Sequence, residues 1–130
     1  MAARWYQLIA WLTPCLDPAS HRDGISILGG EPFAQVEGLL ALVRAIQLRD
    51  CPHILCYSGY TYEALRKQAR YHPEIDAVLD STDVLIDGPY VEALANTAGP
   101  WTGSGNQRVI DLPATRQASH VILLDGIGRT

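Results

Sequence analysis

Cysteine is scarce in this chain: its 130 residues contain three, Cys15, Cys51 and Cys56, an odd number at irregular spacing. That excludes the disulfide framework of small secreted domains and suits a reducing compartment. Long apolar runs are lacking as well. The longest stretches, such as Leu8–Leu12 and Val121–Leu124, fall far below the roughly 20 residues that cross a bilayer. Basic charge is in deficit, with ten Lys and Arg against fourteen Asp and Glu, a net charge of −4 and a pI near 5.4. Without a Lys/Arg run to grip a phosphate backbone, nucleic acid is not an expected partner. The apolar patch Trp5–Leu12 is followed by Pro14, Asp17 and His21 instead of a small-residue cleavage site, so the reading is cytoplasmic. No internal repeat or low-complexity segment is present, and the G-x-G-x-x-G fingerprint and the triphosphatase phosphate loop are both missing.

What is present is the composition of one globular domain, 48% hydrophobic and 18% charged, spanning residues 1–130. Trp5, Leu8, Ile9 and Leu12 recur at helical spacing and predict a short amphipathic helix ending at Pro14. Gly24–Leu28 is β-rich and stops at Gly29-Gly30, which predicts a buried strand. Between Gln35 and Arg49 the positions Val36, Leu39, Leu40, Val43 and Ile46 mark a helix face. His53–Tyr57 predicts a second strand. Thr61 can cap the helix that follows, in which Glu63 and Lys67 form an i,i+4 pair. Pro73 breaks that helix, and Ile75, Val78 and Leu79 continue it briefly. Asp83–Asp87 predicts a third strand with a turn at Gly88-Pro89, residues 92–107 a loop, and Arg108–Leu112 a fourth strand, with Val121–Leu124 as a candidate fifth.

Strand and helix in alternation imply an α/β protein with parallel strands joined by right-handed crossovers. Ligand sites in such folds lie at the carboxyl ends of the strands. The rule selects Gly29–Pro32, Ser58–Thr61, Asp87–Tyr90 and the Gly103–Arg108 loop. In Gly29-Gly30-Glu31-Pro32 two glycines let a ligand approach the backbone and Glu31 can accept from a ligand amine, although the same four residues also make a plain turn into a helix. Asn106, Gln107 and Arg108 offer donors for a carboxylate or a ribose, or else tie their own loop to the sheet. Asp83 and Asp87 share a strand face but lie roughly 13 Å apart at 3.3 Å per residue, too far to couple as paired acids. Asp87 is better read as an acceptor for turn N–H groups. Tyr57, Tyr60, Tyr62 and Tyr90 gather near these turns and equally suit the rim of a core.

Four segments in order carry a resemblance. Gly24-Ile25-Ser26-Ile27-Leu28-Gly29-Gly30-Glu31-Pro32-Phe33-Ala34-Gln35, Tyr57-Ser58-Gly59-Tyr60-Thr61, Asp83-Val84-Leu85-Ile86-Asp87-Gly88-Pro89-Tyr90 and Trp101-Thr102-Gly103-Ser104-Gly105-Asn106-Gln107-Arg108 resemble radical S-adenosylmethionine enzymes, the anaerobic ribonucleotide reductase activating proteins above all. The resemblance covers about residues 20–112. It implies a partial (βα) barrel with parallel strands, a site for S-adenosylmethionine at the strand ends, and a [4Fe-4S] cluster that cleaves this ligand reductively to make a glycyl radical on a partner reductase. It places Gly29, Gly30, Glu31 and Pro32 around the methionine amino group, with Ser58, Gly59 and Asn106 near the ligand.

The same resemblance shows a gap. The family holds its cluster with C-x3-C-x2-C after its first strand, and this chain has no such motif. The resemblance thus implies a truncated domain without its first strand and cluster loop, with the Trp5–Leu12 helix as the one that normally follows them. The next strand's edge would be open and would invite self-association. Cys51 and Cys56 have the wrong spacing to substitute; Cys56 reads as a small core residue, Cys51 as a loop residue and Cys15 as incidental. His21, His53, His72 and His120 form no ligand pattern. Two functions stay open: a radical-enzyme activase, or a non-catalytic module that retains affinity for S-adenosylmethionine or the partner.

Overall fold

The computed structural model describes residues 8–14, 23–48 and 53–124. Five strands form one sheet in the order β1-β2-β3-β4-β5, with β1 Leu8–Pro14, β2 Asp23–Gly29, β3 His53–Tyr57, β4 Val84–Asp87 and β5 Arg108–Asp111. Helix α1 (Val36–Gln47) joins β2 to β3, while α2 (Tyr62–Gln68) and α3 (Glu74–Ser81) join β3 to β4. Helix α4 (Leu112–Ala118) follows β5 directly. The pairs β2/β3 and β3/β4 are parallel, as a strand–helix–strand rhythm requires, and both outer pairs are antiparallel.

Several expectations change here. Leu8–Pro14 is a strand running antiparallel to β2 over seven residues, Leu8 opposite Gly29 and Pro14 opposite Asp23, and not the end of a helix; Trp5 lies outside the described residues. An apolar run this short fits either period, and the ladder along β2 supplies partners for its backbone that helical spacing cannot reveal. The edge of β2 is therefore covered, and β1 is the outer strand on that side. The sheet is not all parallel, because a chain segment returning from the 88–107 connection reaches β4 from the opposite direction and pairs Asp87 with Arg108. Residues 92–107 also contain a 3-10 segment, Glu92–Thr97. The candidate fifth strand is reduced to a bridge between Ile110 and Leu123, held by Asp111 N–H donating to the Ile122 carbonyl and Leu124 N–H to that of Val109, each at 2.9 Å.

Period-two alternation in the inner strands sorts the core into two faces. Ile27, Ile54, Cys56, Leu85 and Ile110 point to the helical side, where they pack with Leu39, Val43 and Ile46 of α1, Leu65 of α2, Ile75, Val78 and Leu79 of α3 and Leu112 of α4. Leu55, Val84, Ile86 and Val109 point the other way into a smaller cluster with Tyr57 and Leu124. Local chemistry sets the helix starts. Thr61 caps α2 by accepting from Ala64 N–H at 3.1 Å, Asp111 caps α4 by accepting from Ala114 N–H at 3.0 Å, and Pro73 precedes α3. No helix among the described residues is long and apolar enough to cross a membrane.

Candidate functional site

Strands β2, β3 and β4 end on the same side of the sheet, and the residues just past those ends meet. Glu31 follows β2 by two positions, and its carboxylate caps the short 3-10 segment Pro32–Gln35, with Oε2 accepting from Phe33 N–H at 3.0 Å. The same oxygen accepts from the Ser58 hydroxyl at 3.0 Å, and Oε1 accepts from Gly59 N–H at 2.7 Å. One carboxylate thus bridges the ends of β2 and β3. A carboxylate offers about four lone-pair positions, so three donors leave one, on Oε1. Among the described residues no Lys or Arg pairs with Glu31. At Gly30 an added Cβ would meet nothing within 4 Å, so the backbone beside Glu31 is open; at Gly59 it would lie 3.3 Å from Oε1, which keeps that approach close.

The Ser58–Tyr62 turn is fastened on its other side to β4. Ser58 N–H donates to the Ile86 carbonyl at 2.9 Å, Gly88 N–H to the Tyr60 carbonyl at 3.2 Å, and Tyr62 N–H to Asp87 Oδ2 at 2.7 Å. Gly88 has φ of +101°, a conformation that suits glycine and turns the chain so that its N–H reaches Tyr60. The Ser58 hydroxyl spends its proton on Glu31 and accepts from Tyr60 N–H at 3.0 Å. Asp87 has no solvent exposure and is clamped by Arg108, whose Nε donates to Oδ1 at 3.0 Å and whose Nη2 donates to Oδ2. Arg108 also holds Glu63 of α2, Nη2 to Oε1 at 2.6 Å. The Arg108 guanidinium keeps the Glu63 carboxyl below the usual carboxylate range, and the two carboxylates push the guanidinium's own pKa up. Glu63 thus pairs with Arg108, not with Lys67 as helical spacing suggested.

The glycine-rich connection is tied down by its own side chains. Asn106 donates to the Pro89 carbonyl at 2.8 Å and accepts from the Ser104 hydroxyl at 2.6 Å. Gln107 donates to the Gly88 carbonyl at 3.1 Å and accepts from Gly103 N–H at 2.7 Å. Asn106, Gln107 and Arg108 thus each make contacts within the protein, as one of the two readings of these residues has it, while each side-chain amide keeps a second N–H. Tyr57 hydroxyl reaches the Trp101 carbonyl at 2.9 Å, and burial pushes its pKa up. Tyr62 packs against the main core, while Tyr60 and Tyr90 are exposed beside the strand ends. Asp83, at the opposite end of β4, accepts from Ile54 N–H at 2.8 Å and takes no part in the site.

Cys56 is fully buried among the core side chains under α1–α3, and burial, with the Glu31 charge nearby, drives its thiol pKa far above the ordinary value. Such a thiol stays protonated in the fold while the unfolded chain ionises above about pH 8.5. Its contribution to stability is whole below that pH and declines above it, at about 1.4 kcal/mol per unit. Urea midpoints between pH 8 and 10 should fall more steeply in the wild type than in Cys56→Ala. Equal slopes would mean that the thiol is not sealed. Cys15, Cys51 and His21 lie outside the described residues, and among the described ones no three His, Cys, Asp or Glu side chains group to hold a metal ion. His53, His72 and His120 are exposed.

Sequence reasoning located Gly29–Pro32, Ser58 and Gly59 and missed how they are joined. It also missed the clamp of Arg108 on Asp87 and Glu63, because only the antiparallel β4/β5 register puts Arg108 opposite Asp87.

Comparison with known proteins bears on this geometry. A family model described as a 4Fe-4S single cluster domain matches residues 9–110. An anaerobic ribonucleoside-triphosphate reductase-activating protein of Haemophilus influenzae is 37% identical over 95 residues, covering 70% of this chain and 57% of that protein. The proteins of the same name from Salmonella typhimurium and Escherichia coli are 37% and 34% identical over 97 residues, with 72% of this chain and 58% of theirs covered. The chain thus spans somewhat over half the length of these curated relatives. No solved structure matches it. With the family model matched over most of its length and the relatives agreeing in kind, the chain belongs to the 4Fe-4S single-cluster domain family and is related to the anaerobic ribonucleoside-triphosphate reductase-activating proteins.

Proposed function

We propose that this chain is the S-adenosylmethionine-binding portion of a radical-enzyme activase of the partial (βα) barrel type, and that its partner is a glycyl-radical reductase like the one named for its relatives. The carrying observation is Glu31: a carboxylate with one lone pair left, no cation beside it among the described residues, and an open backbone at Gly30. A primary ammonium group is the ligand such an acceptor suits, and the methionine end of S-adenosylmethionine carries one. In this reading Gly29, Gly30 and Pro32 shape the turn around the amine and Ser58 and Gly59 hold the acceptor still. Asn106 contributes through the Gly88-Pro89 turn it supports. Bound there, the sulfonium ligand would supply the cleavable bond, and the protein's part is to orient it.

The cluster itself does not fit the residues that are described. Iron–sulfur clusters need thiolates, and Cys56 is a protonated thiol packed in the core. Cys15 and Cys51 stand 36 residues apart, far from C-x3-C-x2-C spacing. This observation favours a second reading, a non-catalytic module that keeps the ligand or partner affinity and makes no radical. The version of the first reading compatible with it has the thiolates supplied from outside these 130 residues, by further sequence of the same protein or by a second polypeptide.

Calorimetric titration of the 130-residue chain with S-adenosylmethionine tests the proposal. Saturable binding is expected, weakened at least tenfold in Glu31→Ala because a hydrogen bond to a charged group is worth about 1.5–3 kcal/mol. Equal affinity in the variant and the wild type would remove Glu31 from the ligand site.

A further inference from the structure

The four strand ends form one connected hydrogen-bond path, and its far end is an ion pair. From Arg108 at the start of β5 it passes to the buried Asp87 at the end of β4, then to Tyr62 N–H in the turn after β3. Gly88 N–H, next to Asp87, holds the Tyr60 carbonyl of the same turn. The turn in turn presents Ser58 Oγ and Gly59 N–H to the two oxygens of Glu31. Two of the three donors on Glu31 thus come from a five-residue segment whose own position is set by β4, and Asp87 is the one side chain among those fastenings.

We propose that Asp87 and Arg108 are positioning residues for Glu31: the ion pair, which does not touch the acceptor, sets the Ser58–Tyr62 turn so that the free lone pair of Oε1 faces outward. This rests on the reading of Glu31 as the ligand acceptor and adds a determinant of its affinity. The geometry suits the task. Asp87 is fully buried, so it has no slack, while Arg108 spends its guanidinium on two carboxylates and reaches from β5 to α2. Losing the guanidinium frees the Asp87 carboxylate to rotate toward water, and Tyr62 N–H loses its fixed acceptor. The turn then loosens where it meets Glu31.

The test compares wild type, Arg108→Gln and Arg108→Lys in the 130-residue chain, with two readouts. One is S-adenosylmethionine affinity by calorimetry. The other, taken without ligand, is the amide proton resonance of Gly59, which its 2.7 Å bond to the carboxylate shifts downfield. Arg108→Gln is expected to bind about tenfold more weakly, within the range carried by coupling through a packed network, and to move the Gly59 resonance upfield. Arg108→Lys, which keeps the charge but cannot grip two carboxylates in a fork, should recover part of both. An unmoved Gly59 resonance in Arg108→Gln overturns the proposal, even if affinity falls, because the loss would then come from general destabilisation. Unchanged affinity with a moved resonance overturns it too. If the wild type itself fails to bind S-adenosylmethionine, the ligand reading fails, and the Gly59 resonance alone decides whether the ion pair positions Glu31. Should Arg108→Gln not fold, Arg108→Lys carries the same two comparisons with smaller shifts.

Discussion

Reconstituted anaerobically with iron and sulfide, this chain is expected to hold far fewer than the roughly four irons of one [4Fe-4S] cluster, and to form no 5′-deoxyadenosine with reductant and S-adenosylmethionine. A cluster of this kind takes thiolates, and three cysteines at positions 15, 51 and 56 are all the sequence offers. Recruiting Cys56 would mean drawing a fully buried thiol out of contact with α1–α3 and ionising it where burial and the Glu31 charge both oppose that. Four irons per chain with turnover would refute the donor argument and make all three cysteines ligands. Iron bound only after mixing with a second, cysteine-bearing polypeptide would support the version in which thiolates come from elsewhere.

The second large effect is on stability. Replacing Asp87 by Ala should lower unfolding free energy by about 2–3 kcal/mol, less than for a fully buried pair because the Arg108 left behind is about a third exposed. Two losses combine: Tyr62 N–H is left without an acceptor, and Arg108 keeps only the exposed Glu63. Since small domains are stable by about 5–15 kcal/mol, such a variant would lose a large share of its stability. The double variant Asp87→Leu with Arg108→Met should cost less than the sum of the two single changes, because the two side chains act as one pair. Urea denaturation reads both. A midpoint for Asp87→Ala within about 1 kcal/mol of wild type would show that the pair contributes little.

Much of this site was legible in the chain because strand ends are marked locally. Gly29-Gly30, Ser58-Gly59 and Gly88-Pro89 each follow a β-rich run, and the alternation of those runs with helical periods places them on one edge of a parallel sheet. The caps at Thr61 and the break at Pro73 were equally local. What escaped was everything set by pairing over distance. Leu8–Leu12 fits a helical stripe, and only the neighbouring edge of β2 decides for a strand. The reversal of β5 depends on how the 88–107 connection folds back, through Asn106, Gln107 and Ser104 bonds that no periodicity encodes. Arg108 looked like a ligand donor because its two carboxylate partners are 21 and 45 residues away in sequence. For the same reason Glu31 read as a free acceptor: Ser58 and Gly59, two of the three donors that reach it, are 27 and 28 residues away.

The central claim is that the remaining lone pair of Glu31 receives the ammonium group of S-adenosylmethionine. The most direct measurement is a calorimetric comparison of S-adenosylmethionine with its analogue lacking the methionine amine, on the wild-type chain. The account predicts saturable binding of the first and affinity at least tenfold lower for the second, the worth of one charge-assisted hydrogen bond. Equal affinity for the two, or no binding of either, would contradict it.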